Sequence, residues 1–244
     1  MPAMTLYAAA PSLMWVVARL FPLRPRPGFS HYSADELRRK YRRLHYIDAA
    51  AFLVLGPACV YGVHEGLVSY VASRARGLEG SVHAVLPDSG FWYVPAGVLG
   101  VIVACLLIDG LNRLLLRERA AEYRHSSNAT VGFNATRMFV AAGVLMAVGA
   151  LTLAFFAARS RLQLTEDEIV VQRLWSLREE RYRYSQVKAL TEVVDAVKKK
   201  TDFVIELDGA PDWTTAVEIV FPDPDAKRFL ADRTGKVIRT LDVP

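Results

Sequence analysis

Three long apolar runs, at residues 47–72, 91–116 and 138–158, constrain this chain more than any other feature. Each exceeds the twenty or so residues that a helix needs to cross about 30 Å of hydrocarbon. A bilayer offers backbone amides no water to bond, so each run is expected to be a transmembrane helix. The borders agree. Phe91, Trp92 and Tyr93 gather aromatics where the second run would meet the headgroups, and Asp109, Asn112 and Arg113 mark its exit. The polar stretch RLLLRERAAEYR that follows reads as an amphipathic extension of the same helix. Ala141, Ala142, Gly143, Ala147, Gly149 and Ala150 make the third run the candidate for close helix packing, against a neighbour or another copy.

Charge is divided along the same line. The net charge is +5; through residue 158 there are 15 Lys/Arg against 9 Asp/Glu, and beyond it 15 against 16. The positive excess therefore borders apolar runs, where it fits a cytoplasmic membrane flank and anionic lipid rather than nucleic acid. Cys59 and Cys105 each lie inside an apolar run and read as small buried hydrophobes, with no disulfide framework or zinc site.

Residues 3–20 are apolar and carry Pro11; the chain begins without a basic n-region and its arginines come late, at Arg19, Arg24 and Arg26, the wrong order for a cleaved signal peptide. They are expected to form an interfacial or partly inserted helix, with a fourth span as the alternative. The proline-punctuated FPLRPRPGFS at 21–30 cannot continue a helix. Ser33 with Glu36 then gives a capping box that reopens one. Arg38, Arg39, Lys40, Arg42 and Arg43 follow just ahead of the first run, a basic anchor at the membrane surface.

After Arg159 the pattern changes to short β-favouring runs between polar turns. Leu162/Leu164, Ile169/Val171 and Tyr182/Tyr184 show a period of two, and further strands are expected at 203–207 and 216–221. DPDAKRFLADRTG reads as one short terminal helix with an Asp-Pro start and a glycine stop. The predicted fold is a membrane α-helical bundle of about three transmembrane helices plus a small α+β domain over 159–244. RLQLTEDEIVVQRLW, SLREERYRYSQVKAL, the DG turn and the terminal helix together resemble bacterial pleckstrin-homology-like domains. That resemblance implies a curved antiparallel barrel or sandwich closed by one helix, used for binding or oligomerisation, with no shared catalytic residues. The lysine run at 198–200 reads as a solvated turn.

Chemistry is sparse. His64 and Glu65 are the weak candidates for an intramembrane polar site, since ionisable groups in hydrocarbon cost several kcal/mol unless partnered. Being adjacent they do not share a helix face, and a helix ending near Val63 would leave both in a wet loop. Asp48 and Asp109 fall near span ends and read as interfacial. Gly56-Pro57 is a candidate kink. Asn128 and Asn134 match the glycosylation acceptor pattern weakly. No phosphate cradle, nucleophile elbow or metal-spaced cluster occurs, so no catalytic residue, cofactor or metal is expected.

Basic residues assign the loops at 21–44 and 113–137 to the cytoplasm, with the protein in the plasma or inner membrane and the side of the tail domain open. Two functions compete. One is a membrane-anchored interaction module that presents the tail domain to a protein, a lipid headgroup or another copy. The other is an oligomeric small transporter, channel or intramembrane enzyme that uses Glu65 and His64.

Overall fold

A computed structural model describes residues 15–23, 33–75, 81–195, 200–215, 220 and 222–243. Most of the expected N-terminal segment (residues 1–14), the linker at 24–30, Lys198, Lys199 and most of the strand expected at 216–221 lie outside the described residues. Among the described residues, three helices are long and apolar enough to cross a membrane.

Helix α1, Ala34–Ala75, begins at the capping box: Ser33 Oγ accepts from the Glu36 amide at 3.2 Å, and the Ser33 amide donates to Glu36 Oε2 at 2.8 Å. It joins the basic anchor and the first apolar run in a single helix that contains Pro57. It also runs past Val63, so His64 and Glu65 are helical rather than in a loop. The apolar face continues through Leu67, Val68 and Val71, which still have neighbours to pack against.

A 3₁₀ turn, Ser89–Trp92, leads into α2, Tyr93–Leu116. Asp88 caps that turn, accepting from the Gly90 amide at 2.7 Å. The expected amphipathic extension of α2 is instead a separate helix. Arg117 adopts φ +47°, a left-handed conformation that stops the α2 ladder, and α3, Ala120–Val131, starts after a 3₁₀ turn at Arg117–Arg119. Helix α4, Ala135–Arg159, follows the left-handed cap Gly132.

The contacts divide the chain into two units. Unit 1 holds residues 1–62 and 97–149, and unit 2 holds 63–96 and 150–244. Inside unit 1, Gly100 of α2 meets the backbone of α1: a side-chain carbon there would stand 2.5 Å from Val60 Cα. This is the close approach that the third run was expected to make. In α4, a side-chain carbon added at Gly143 or Gly149 would meet nothing within 4 Å, whereas Ala150 of the same run is buried. Cys105 is exposed and Cys59 half-buried, not the buried pair expected, since α2 turns apolar side chains such as Leu106 and Leu107 outward.

Unit 2 contains the β domain. Strands β1 Ser81–Val85, β2 Arg161–Thr165, β3 Glu168–Gln172 and β4 Glu180–Arg183 form one antiparallel sheet in that order. A second sheet has the order β7-β6-β5-β8, from β5 Val187–Asp195, β6 Lys200–Leu207, β7 Trp213–Thr214 and β8 Ile238–Val243. Helix α5, Pro224–Thr234, precedes β8 and has the expected ends. Asp223 accepts from the Ala226 amide at 2.7 Å, and Gly235 closes it at φ +65°. Leu162, Leu164, Ile169 and Val171 of the first sheet share a core with Leu190, Phe203, Ile205 and Trp213 of the second, and with Leu230 of α5.

Besides the two-residue β7, which falls just ahead of the strand expected at 216–221, two strands were not foreseen. β8 follows the helix expected to be last and pairs in parallel with β5, Leu190 opposite Ile238. β1 comes from the segment between α1 and α2, yet it is hydrogen-bonded to β2, with Val85 opposite Leu162 and His83 opposite Leu164. The domain expected at 159–244 therefore takes a strand from residues 81–85. Only Ser160 separates α4 from β2.

Tyr184 ties the first sheet to its own turn, its hydroxyl donating to the Thr165 carbonyl at 2.6 Å. Burial pushes its phenol up to about 12, with Arg233 opposing and Asp167 adding to the rise. A phenol raised above its unfolded value of about 10 stabilises the fold fully below pH 10, and that contribution is lost as pH climbs towards 12. The loss is on the order of 2 kcal/mol. Alkaline unfolding followed through near-ultraviolet circular dichroism is expected to show this decline, and Tyr184→Phe to flatten it; an unchanged alkaline limb in the variant would count against the assignment.

Candidate functional site

Two polar constellations stand out, one in each unit. In unit 1 the basic anchor divides by helix face. At about 100° per residue, Leu37, Tyr41 and Leu44 share the inner face of α1, where Leu37 and Tyr41 are buried with Tyr123 of α3. Lys40 flanks that face and its ammonium meets Glu122 of α3 at 2.6 Å. Arg38 and Arg42 lie on the other flank, and Arg39 and Arg43 on the outer face, all four exposed.

One turn further, Asp48 completes a network. It accepts from the Tyr123 hydroxyl at 2.5 Å and from the Asn112 amide at 2.8 Å. Because the Tyr123 proton is committed to Asp48, its oxygen is the acceptor for His45 Nδ1, 3.0 Å away. A carboxylate is so held at the border of an apolar run by donors from two other helices, which offsets its desolvation. Asp109 is answered by Arg113 at 2.6 Å and Arg124 at 3.1 Å. Asn128 and Asn134 serve the α3–α4 turn. Asn128 Oδ1 accepts from the Thr136 amide at 3.0 Å, and Asn134 Oδ1 from the Arg137 amide at 3.1 Å. These contacts latch α1, α2, α3 and the start of α4 together; they align no nucleophile with a base.

In unit 2, His64 is buried and Glu65 is about half exposed. His64 Nε2 lies 3.0 Å from the Ser89 carbonyl, Nδ1 lies 3.3 Å from Glu65 Oε1, and the ring stacks on Tyr93 at 3.9 Å. Both ring nitrogens are thus engaged, and the histidine pins the entrance of α2 to α1. The same unit carries an apolar cluster at the helix ends: Val71, Trp92, Ala154 and Ala157 with Leu174 from the loop after β3. Beside it Trp175, exposed, sits against Phe156 at 5.4 Å.

The surface of the β domain offers polar ties rather than a reaction centre. Arg173 donates to Glu180 at 3.0 Å and to the Pro211 carbonyl at 2.8 Å, and Lys227 of α5 meets Glu192 of β5 at 2.7 Å. No group of three or more His, Cys, Asp or Glu side chains suited to a metal occurs among the described residues. The sequence marks Asp48 as a candidate but not Tyr123 and Asn112 as its partners, His45 as the partner of Tyr123, or Ser89 as that of His64. The only available signal was a polar residue recurring at each border of an apolar run.

Fold and sites define a class: three long apolar helices carrying a two-sheet α+β domain with interhelical polar latches. No protein-family model, curated protein or solved structure matches the chain.

Proposed function

We propose that the chain is an integral membrane protein whose three long helices hold a pleckstrin-homology-like binding module at one surface of the bilayer. Leu53, Val54, Leu106, Leu107 and Leu145 are exposed along those helices, an apolar surface far larger than water tolerates on a monomer. In lipid the same side chains are solvated. Two sheets sharing one core with a helix support the pleckstrin-homology-like reading, although β1 and β8 are additions to it.

The observation that carries the module reading is the β1–β2 register. β1 follows α1 in sequence and β2 follows α4 after Ser160 alone, so the domain draws strands from before α2 and after α4 and is not a tail appended at one point. α2 and α4 lie between β1 and β2 in sequence, and two crossings return the chain to the side it left. With the basic loops cytoplasmic, the module faces the opposite side, where it meets a protein partner or a second copy. The rival transporter, channel or enzyme has less support, because His64 is already engaged at both nitrogens.

The test uses the full chain in intact cells, with Cys59 and Cys105 replaced by alanine. Ser81→Cys and Thr201→Cys are expected to react together with an impermeant maleimide, and Ser127→Cys only after permeabilisation. A photo-crosslinker at Leu241 on β8 or Arg181 on β4 is expected to give a discrete adduct. Labelling of all three cysteines from one side would overturn the topology, and absence of any adduct from both sheet edges would overturn the module.

A further inference from the structure

The flank of α1 that bears Arg38, Arg42 and His45 borders an open cavity of about 400 Å³ within unit 1, lined also by Tyr46 and by Ser127 of α3. No carboxylate stands among these lining side chains. The spacing is i, i+4, i+7, so the three basic or imidazole side chains fall within about 60° of one another on the helix surface. Ser127 of a second helix also lines the cavity, its hydroxyl donating to the Tyr123 carbonyl at 3.3 Å. Two guanidinium forks on one flank of a helix carry donors matched to the oxygens of a phosphate, which arginine grips in a planar, bidentate manner. The depth fits as well. Tyr46 and Ile47, both exposed, begin the apolar run directly below, so the cavity opens where that run gives way to polar residues.

We infer that Arg38, Arg42, His45 and Ser127 form a binding site for the phosphate of an anionic phospholipid headgroup, its acyl chains lying along the exposed apolar surface that starts at Tyr46. The shared chemistry is a phosphate mono- or diester, and free phosphate is the other source of it. The inference rests on the membrane reading above and deepens it. It also divides the basic anchor: Arg38 and Arg42 line the cavity, whereas Arg39 and Arg43 supply only general attraction to the leaflet.

The experiment uses the full chain in nanodiscs of phosphatidylcholine with or without phosphatidylglycerol. Native mass spectrometry after detergent extraction reads the retained lipid. Arg38→Gln/Arg42→Gln and Arg39→Gln/Arg43→Gln remove the same charge from the same helix, so any loss of non-specific attraction is common to both. The first pair is expected to lower phosphatidylglycerol retention about tenfold more than the second, two arginine contacts of the headgroup being lost. Ser127→Asp, which brings a carboxylate into the cavity from α3, is expected to abolish retention while circular dichroism stays helical. In detergent, inorganic phosphate and glycerol phosphate report whether the headgroup alone suffices; a thermal shift with either, lost in Arg38→Gln/Arg42→Gln, places the recognition in the phosphate, and retention of lipid alone places it in the whole phospholipid. Equal behaviour of the two arginine pairs, or no lipid or phosphate response in the wild type, would overturn the site. A chain that remains a dispersed monomer without detergent would instead remove the membrane reading itself.

Discussion

Val85→Asp, a change in the segment between the first two long helices, is expected to unfold a β domain whose remaining strands begin at Arg161. Val85 is buried in the core shared by both sheets and pairs with Leu162. An aspartate there either carries an unpaired charge into an apolar core or neutralises at the cost of a large pKa shift. Together with the lost packing, the change is expected to cost about 3–5 kcal/mol, a large part of the stability of a small domain. Limited proteolysis of the full chain in detergent is expected to cut within 161–243 while the apolar helices stay protected. Val82→Asp puts the same charge on the same strand at an exposed position, and should change stability by no more than about 0.5 kcal/mol. Equal protease resistance of the two variants would mean that β1 is dispensable.

The second large effect belongs to Gly100. An added carbon would lie 2.5 Å from Val60 Cα and 2.6 Å from its nitrogen, both backbone atoms that no rotamer change can move aside. Gly100→Ala must separate α1 from α2, an overpacking cost of about 1–3 kcal/mol. For a chain of this size that corresponds to roughly 3–10 °C in Tm. Gly97→Ala, one turn away with nothing within 4 Å, is the control and is expected to leave thermal unfolding unchanged or slightly improved by alanine's better helix propensity. Matching Tm values for the two would show that the helices do not touch at Gly100.

What could be read from the residues depended on the range of the signal. The long helices were legible because apolar length needs no knowledge of partners, and the Ser33–Glu36 and Asp223–Gly235 ends because caps are local chemistry. β1 was not legible: SVHAV is five residues long, and its partner lies beyond two helices, so only the tertiary fold identifies it as a strand. Likewise β8 carries arginine, threonine and aspartate among its six residues, and nothing local distinguishes it from a polar tail. The small residues of α4 gave a stronger packing signal than lone Gly100, but composition does not say which face meets a neighbour. Asp48 was visible as a polar residue at a span border. That Tyr123 would answer it required the break at Arg117, where a non-glycine residue adopts a positive φ without any mark in the sequence, and that Asn112 would do so required the packing of α2 on α1.

The union of β1 with β2 has a bearing on how the protein is made. The strand emerges from the ribosome early, and its partner follows only after about 75 more residues, several seconds of synthesis at roughly 5–20 residues per second. Throughout that interval the edge that β2 will occupy stays open. On the membrane reading proposed above, it closes only if both intervening apolar helices are threaded in opposite senses, so that the two strands emerge on a common side. A nascent chain with one helix left out cannot complete the sheet, and its unsatisfied strand remains accessible to chaperones and proteases. On the same reading, completion of the β domain depends on both intervening helices being in place.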